Sequence, residues 1–150
     1  NLRHISYLKI VVVALVWAGV TVGIPVLANG EITNELVFAF LQRFILVCVL
    51  ILPFDIRDIQ FDAISLQTIP QKIGVERTKK LGYVLLLISG LLEFLIYPTS
   101  MFKNVFILFF FVMLFFVMRS QTKQSKYFSS FWVESIPILW WLVLLGIQNF

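Results

Sequence analysis

Asp55, Asp58 and Asp62 stand at i, i+3 and i+7 in the stretch Leu52-Pro53-Phe54-Asp55-Ile56-Arg57-Asp58-Ile59-Gln60-Phe61-Asp62. On a helix turning about 100° per residue, these positions fall within about 60° of one another. Carboxylates crowded on one arc repel unless something positive lies among them. Hard oxygen donors so arranged suit Mg²⁺, which keeps several waters and bridges protein carboxylates to substrate phosphates. A plainer reading makes the stretch an ordinary helix start on a solvated face. Pro53 then lies near the first turn, with Asp55 facing the positive end of the macrodipole.

Other groups able to do chemistry are few. Arg43 and Glu93 are ionisable residues inside apolar runs, where such residues are costly and face a bundle interior or a wet cavity. Arg43 could contact an anionic substrate while Glu93 aids a proton step or pairs with a cation; equally, the two could pair with each other. Lys72, Arg77, Lys79 and Lys80 form a basic patch, which charge bias near a membrane and anionic headgroups already explain. Lysine is also a point charge for phosphate. The single histidine, His4, and the single cysteine, Cys48, exclude a Cys₂His₂-type metal site and an internal disulfide. Acids that suit Mg²⁺ beside bases that suit phosphate point to a diphosphate-bearing lipid substrate.

The elements that must position these residues are apolar helices. The chain is 60% hydrophobic and 13% charged, with net charge +4 and mean hydropathy +0.96. Soluble domains are roughly 45–50% apolar and about 25% charged, so the class is integral membrane, all-α. Five spans are expected, at about 8–28, 35–52, 81–97, 105–118 and 132–147, with a polar segment over 53–80. Gly23-Ile24-Pro25 should kink or end the first span, and Asn34 can cap the second. Ser89 and Gly90 suit close helix packing in the third span, while the Phe-rich fourth span suits lipid contact or gap filling. Arg3, Lys9, Arg57, Lys72, Arg77, Lys79, Lys80, Arg119, Lys123 and Lys126 fall on one side of this topology, against Lys103 on the other. Loops rich in Lys and Arg stay cytoplasmic, which makes the Asp-bearing segment cytoplasmic.

The run Phe54 to Asp62, followed by Thr68-Ile69-Pro70 and Gly74, resembles the second Asp-rich motif of the UbiA-type membrane prenyltransferases. Ile5-Ser6-Tyr7-Leu8-Lys9 is similar to the family's aromatic-x-Lys stretch ahead of its fifth helix. The five spans then match the family's helices five to nine. The resemblance implies a helical bundle around a cavity open to the cytoplasm, and an enzyme moving a prenyl group from a polyprenyl diphosphate to an aromatic or related acceptor. It implies Mg²⁺ held by Asp58 and Asp62 with Asp55 as a third acid. Lys9, Arg57 and Lys72 would be diphosphate contacts; Arg43 and Glu93, by their depth in the apolar runs, are possible cavity residues. Membrane lipid is the expected surrounding, and nucleic acid is not an expected partner. The acceptor could be a quinone precursor, haem, a chlorophyll-like pigment or a lipid head group.

Two departures matter. The family's first motif, of Asn-x-x-x-Asp-x-x-x-Asp type, is absent, and residues 63–67 read Ala-Ile-Ser-Leu-Gln without the usual Gly and basic residue. The first departure suggests either the C-terminal half of a longer chain, which the start at Asn1 favours, or a degenerate relative. A transporter-like bundle with Arg43 and Glu93 lining a pathway, or a non-catalytic membrane anchor, is the alternative.

Overall fold

The computed structural model describes residues 8–29, 33–61, 68–96, 100–125 and 127–148. Arg3, His4, Asp62, Pro98 and Lys126 lie outside the described residues. Among the described residues the chain is all-helical: α1 (Leu8–Ala18), α2 (Ile24–Asn29), α3 (Asn34–Asp58), α4 (Ile69–Ile73), α5 (Val75–Ile96), α6 (Ser100–Arg119) and α7 (Glu134–Gln148). Two π-helical turns, Gly19–Gly23 and Phe128–Val133, lead into α2 and α7.

The centre of the bundle is α3. It packs against α1, α4, α5, α6 and both π turns. Its stretch from Ile45 to Ile56 is buried on most sides, because apolar residues there fill every face. Leu46 and Val49 join a core with Leu86, Phe109, Met113 and Ile136. Val47, Cys48 and Leu52 pack with Ile10, Ala14 and Ile69, and Ile45 packs with Leu92 and Ile96. A helix apolar all round is either a deep core helix or a membrane span. Asn34–Asp58 is the one described helix long and apolar enough to cross a membrane by length and composition; Leu8–Gly23 and Phe131–Gly146 are apolar but shorter. The outward faces of the other helices are also apolar: Leu87, Leu91, Phe111 and Trp141 are each at least 60% exposed.

Several local expectations need correction. Pro53 does not start a helix; it lies within α3, which runs on to Asp58. Proline inside a helix removes one hydrogen bond and crowds the preceding turn. Here Leu52 and Ile56, both essentially inaccessible, hold the helix together across it. Asp55 and Asp58 therefore occupy the last turns of α3, at the negative end of the helix macrodipole. Ile59 to Phe61 form a turn after α3, with the Phe61 N–H donating to the Asp58 carbonyl at 2.9 Å. The cap of α3 is Thr33 rather than Asn34: the Leu36 N–H donates to Thr33 Oγ1 at 3.4 Å. The kink or end expected of the first span at Gly23-Ile24-Pro25 takes the form of a change from α to π geometry ahead of the proline. A π turn spends an extra residue just before the proline, and the Ile24 N–H reaches Gly19 O.

The segment 53–80 is likewise not a single polar connection. Part of it is the short helix α4, where the Thr68 N–H donates to Gln71 Oε1 at 3.0 Å. Gly74, at φ +83°, makes the joint to α5, a conformation that disfavours any side chain. The next helix thus begins at Val75, earlier than position 81, and carries Arg77, Lys79 and Lys80 in its first turns.

Close approach is set at Gly82. A Cβ there would stand 3.0 Å from Val117 Cγ1 and 3.1 Å from Leu52 Cδ1, where α5 meets both α6 and α3. Gly82→Val is expected to destabilise the bundle by about 1–3 kcal/mol through overpacking. Unfolding of the variant in nanodisc or mixed-micelle denaturant titrations measures this. A native midpoint would mean that α5 can move off its neighbours without loss.

Candidate functional site

The end of the bundle that holds the acidic end of α3 is gathered together by three contacts between distant parts of the chain. Lys9 Nζ, at the start of α1, lies 3.5 Å from Asp55 Oδ1. Gln124, in the loop after α6, donates from Nε2 to the Pro53 carbonyl at 3.1 Å. Lys79 donates to the Met118 carbonyl at 3.2 Å, satisfying a C-terminal carbonyl of α6 with a cation at its negative end. The starts of α1 and α5 and the ends of α3 and α6 therefore share one end of the bundle. That end collects most of the basic residues.

The acids there differ in environment. Asp55 is 1% exposed, with Lys9 Nζ beside its carboxylate. Asp58 is partly open, and its Oδ1 accepts from Arg57 Nε at 2.6 Å. Arg57 also lies over Phe54, with its guanidinium carbon 5.7 Å from the ring centroid. Two carboxylates at the negative end of a helix are unfavourable by the dipole alone, and Lys9 and Arg57 supply the opposing charge.

Asp58 opens onto a cavity of about 580 Å³ whose polar lining is Lys9, Asp58 and Glu134. Its remaining walls are apolar and come from α1, α3 and α7, including Val13, Trp17, Ile51 and Ile138. A second cavity, about 370 Å³, lies deeper and shares Trp17, Val47, Leu50 and Pro137 with the first. Arg43 lines this inner space. Fifteen residues of α3 separate Arg43 from Asp58, about 22 Å at 1.5 Å per residue. The two spaces adjoin across these shared residues as an apolar groove along α3, with mixed charge lining the outer part and a guanidinium the inner part.

Of the residues singled out from sequence, Lys9 and Asp58 meet in the outer cavity, with Asp55 buried behind Lys9. Arg57 reaches the site through Asp58. Lys72 lies in the last turn of α4 as an exposed residue and is not among those lining either space. Asp62 lies outside the described residues. Arg43 and Glu93 border different spaces: Arg43 lines the inner groove, and Glu93 lines a space between α5 and α6. Glu134, Trp17 and Trp140 were not marked by any spacing in the sequence, because they are brought to α3 only by the packing of α1 and α7.

Mg²⁺ can be weighed against this donor set. Among the described residues no three acidic, histidine or cysteine side chains come together as a ready-made cage. Asp58 presents hard oxygen donors at the mouth of the groove, and Lys9 presents a cation there. That set fits an ion held by one or two carboxylates and completed by waters and substrate phosphates, the usual habit of Mg²⁺. Asp55 fits a supporting place, since it is enclosed. No family model matches the chain, and searches of curated proteins and of solved structures found no match.

Proposed function

We propose that this chain is part of a multi-pass membrane prenyltransferase that takes a polyprenyl diphosphate in its groove, with Mg²⁺, and transfers the prenyl group to a lipophilic or aromatic acceptor. The observation that carries this reading is the groove itself: Lys9 and Asp58 stand at the mouth of a long apolar trough. An amphipathic ligand with a charged head and a long hydrocarbon tail matches that distribution, since binding sites are mostly apolar with a few placed polar groups. Apolar outward faces support five membrane-crossing segments, with α1 and α7 each extended by its π turn. The basic residues at the Asp58 end, against Lys103 at the other, support a cytoplasmic mouth.

In this reading Lys9 and Arg57 draw the diphosphate towards the mouth, and Asp58 offers a carboxylate to the accompanying ion. The apolar walls keep water from the allylic carbon while its bond to the diphosphate oxygen breaks and the acceptor attacks. Bound Mg²⁺ would neutralise charge growing on the departing diphosphate.

Binding of geranylgeranyl diphosphate to the full chain in nanodiscs tests the proposal. Millimolar Mg²⁺ should tighten binding at least about tenfold, and chelation should reverse it. Geranylgeraniol, which lacks the diphosphate, should show no Mg²⁺ dependence. Equal Mg²⁺ response of the two ligands would remove the basis for the assignment.

A further inference from the structure

The half of the bundle away from the acids holds a recess that prenyl transfer does not use. It lies between α5 and α6, has a volume of about 260 Å³, and is lined by Glu93, Lys103 and otherwise apolar residues. Its rim belongs to the outer surface, since Phe94, Ile107 and Phe111 are all exposed. Gly90 makes the hollow. With no side chain there, α5 leaves room in front of the Phe110 ring, which would stand 3.6 Å from a Cβ at that position. Phe110 in turn meets Phe106 at 6.3 Å and Phe111 edge-on at 5.7 Å, ring contacts that fix the wall.

The two charged residues of the recess face different ways. Glu93 is buried, and its Oε2 accepts from Gln42 of α3 at 2.8 Å, towards the bundle interior. Lys103 is only partly covered, and its Nζ lies 5.1 Å from the centroid of the exposed Phe94 ring. It is also the fourth residue of α6, whose first turn holds no acid. A cation there opposes the positive end of the helix macrodipole. Glu93 answers part of that charge at longer range. An anion outside the helix would answer both the ammonium and the dipole. We infer that the α5–α6 recess seats one anionic phospholipid, its phosphate against Lys103 and one acyl chain lying along Gly90 and Phe110. Charge and polarity choose this occupant: a cation at the rim takes the headgroup, and an apolar hollow open to the outer face takes the chain. The inference rests on the membrane-crossing part of the reading above and uses neither the acidic end of α3 nor a metal.

The full chain in phosphatidylcholine nanodiscs tests it. The discs would carry a trace of phosphatidylglycerol or phosphatidylcholine with a diazirine on one acyl chain, and adducts would be mapped by peptide mass spectrometry after irradiation. The glycerol lipid should label 90–94 and 103–111 about fivefold more than the choline lipid does, the effect expected of one lysine near an anionic headgroup. It should also label them more than the exposed apolar face of α1. Lys103→Gln should bring the two lipids level, and Lys103→Arg should keep the preference. Gly90→Leu, which fills the hollow, should remove the excess over α1. Even labelling of α1, α5 and α6 would mean bulk lipid only and would overturn the seat. Equal labelling of the recess by the two lipids in the native chain would overturn it as well, and needs no variant to fold. Absence of adducts on every helix would defeat the membrane reading and the seat with it. No prenyl diphosphate or Mg²⁺ is present, so a failure confined to the recess leaves the prenyltransferase reading standing.

Discussion

Asp58→Asn is expected to weaken Mg²⁺-dependent binding of a polyprenyl diphosphate by about 10- to 100-fold, the size of a charge-assisted contact worth roughly 1.5–3 kcal/mol. The substitution nearly preserves shape. Asparagine still offers an Oδ1 to Arg57 Nε, so the end of α3 should keep its geometry while losing one negative charge at the groove mouth. The Mg²⁺ concentration for half-maximal binding should rise in the same proportion. Asp58→Glu should recover part of the loss.

Asp55→Asn makes the informative contrast. Asp55 is enclosed and faces Lys9, so its loss should lower stability and shift Lys9 before it alters the response to Mg²⁺. Calorimetric titration of geranylgeranyl diphosphate across Mg²⁺ concentrations, with a thermal melt of each variant, separates the two effects. Native affinity and native Mg²⁺ response in Asp58→Asn would sink the role given to Asp58.

The helical class was legible from composition and apolar runs, and the gathering of basic residues at one end of the bundle follows the order of those runs. The local geometry of the acidic stretch was not. Proline is favoured in a helix's first turn, so Pro53 followed by Asp55 reads as a beginning. Packing reverses that reading, because Leu52 and Ile56 are both buried in the bundle and only a continued helix keeps both there. Reversal changes the electrostatics as well: acids that would have been favoured by the dipole are disfavoured by it, and Lys9 and Arg57 answer them. The cap of α3 was missed by one residue because Thr33 and Asn34 are both capable of capping. Glu134 illustrates a different limit. It shares a cavity with Asp58 but comes from the last helix, and no local period links the two.

Gln42→Leu is expected to destabilise the chain by about 1–2 kcal/mol, through Glu93 rather than through Gln42 itself. The Gln42 Nε2 amide donates to Glu93 Oε2 at 2.8 Å and to the Ser89 carbonyl at 3.1 Å. All three residues are buried, so removal of the amide leaves the Glu93 carboxyl without that donor and with little water to replace it. Arg43 and Lys103 act on Glu93 by charge at longer range and do not substitute for a hydrogen bond. Replacing both partners should be milder than replacing Gln42 alone, because Gln42→Leu with Glu93→Leu removes the acceptor together with its donor. Denaturant unfolding of the native chain, both single variants and the double variant closes the cycle. A coupling near zero would mean that the amide contributes nothing to holding Glu93. A positive coupling makes the pair a clasp between α3 and α5, while Arg43, one residue further along and about 100° round the same helix, lines the groove.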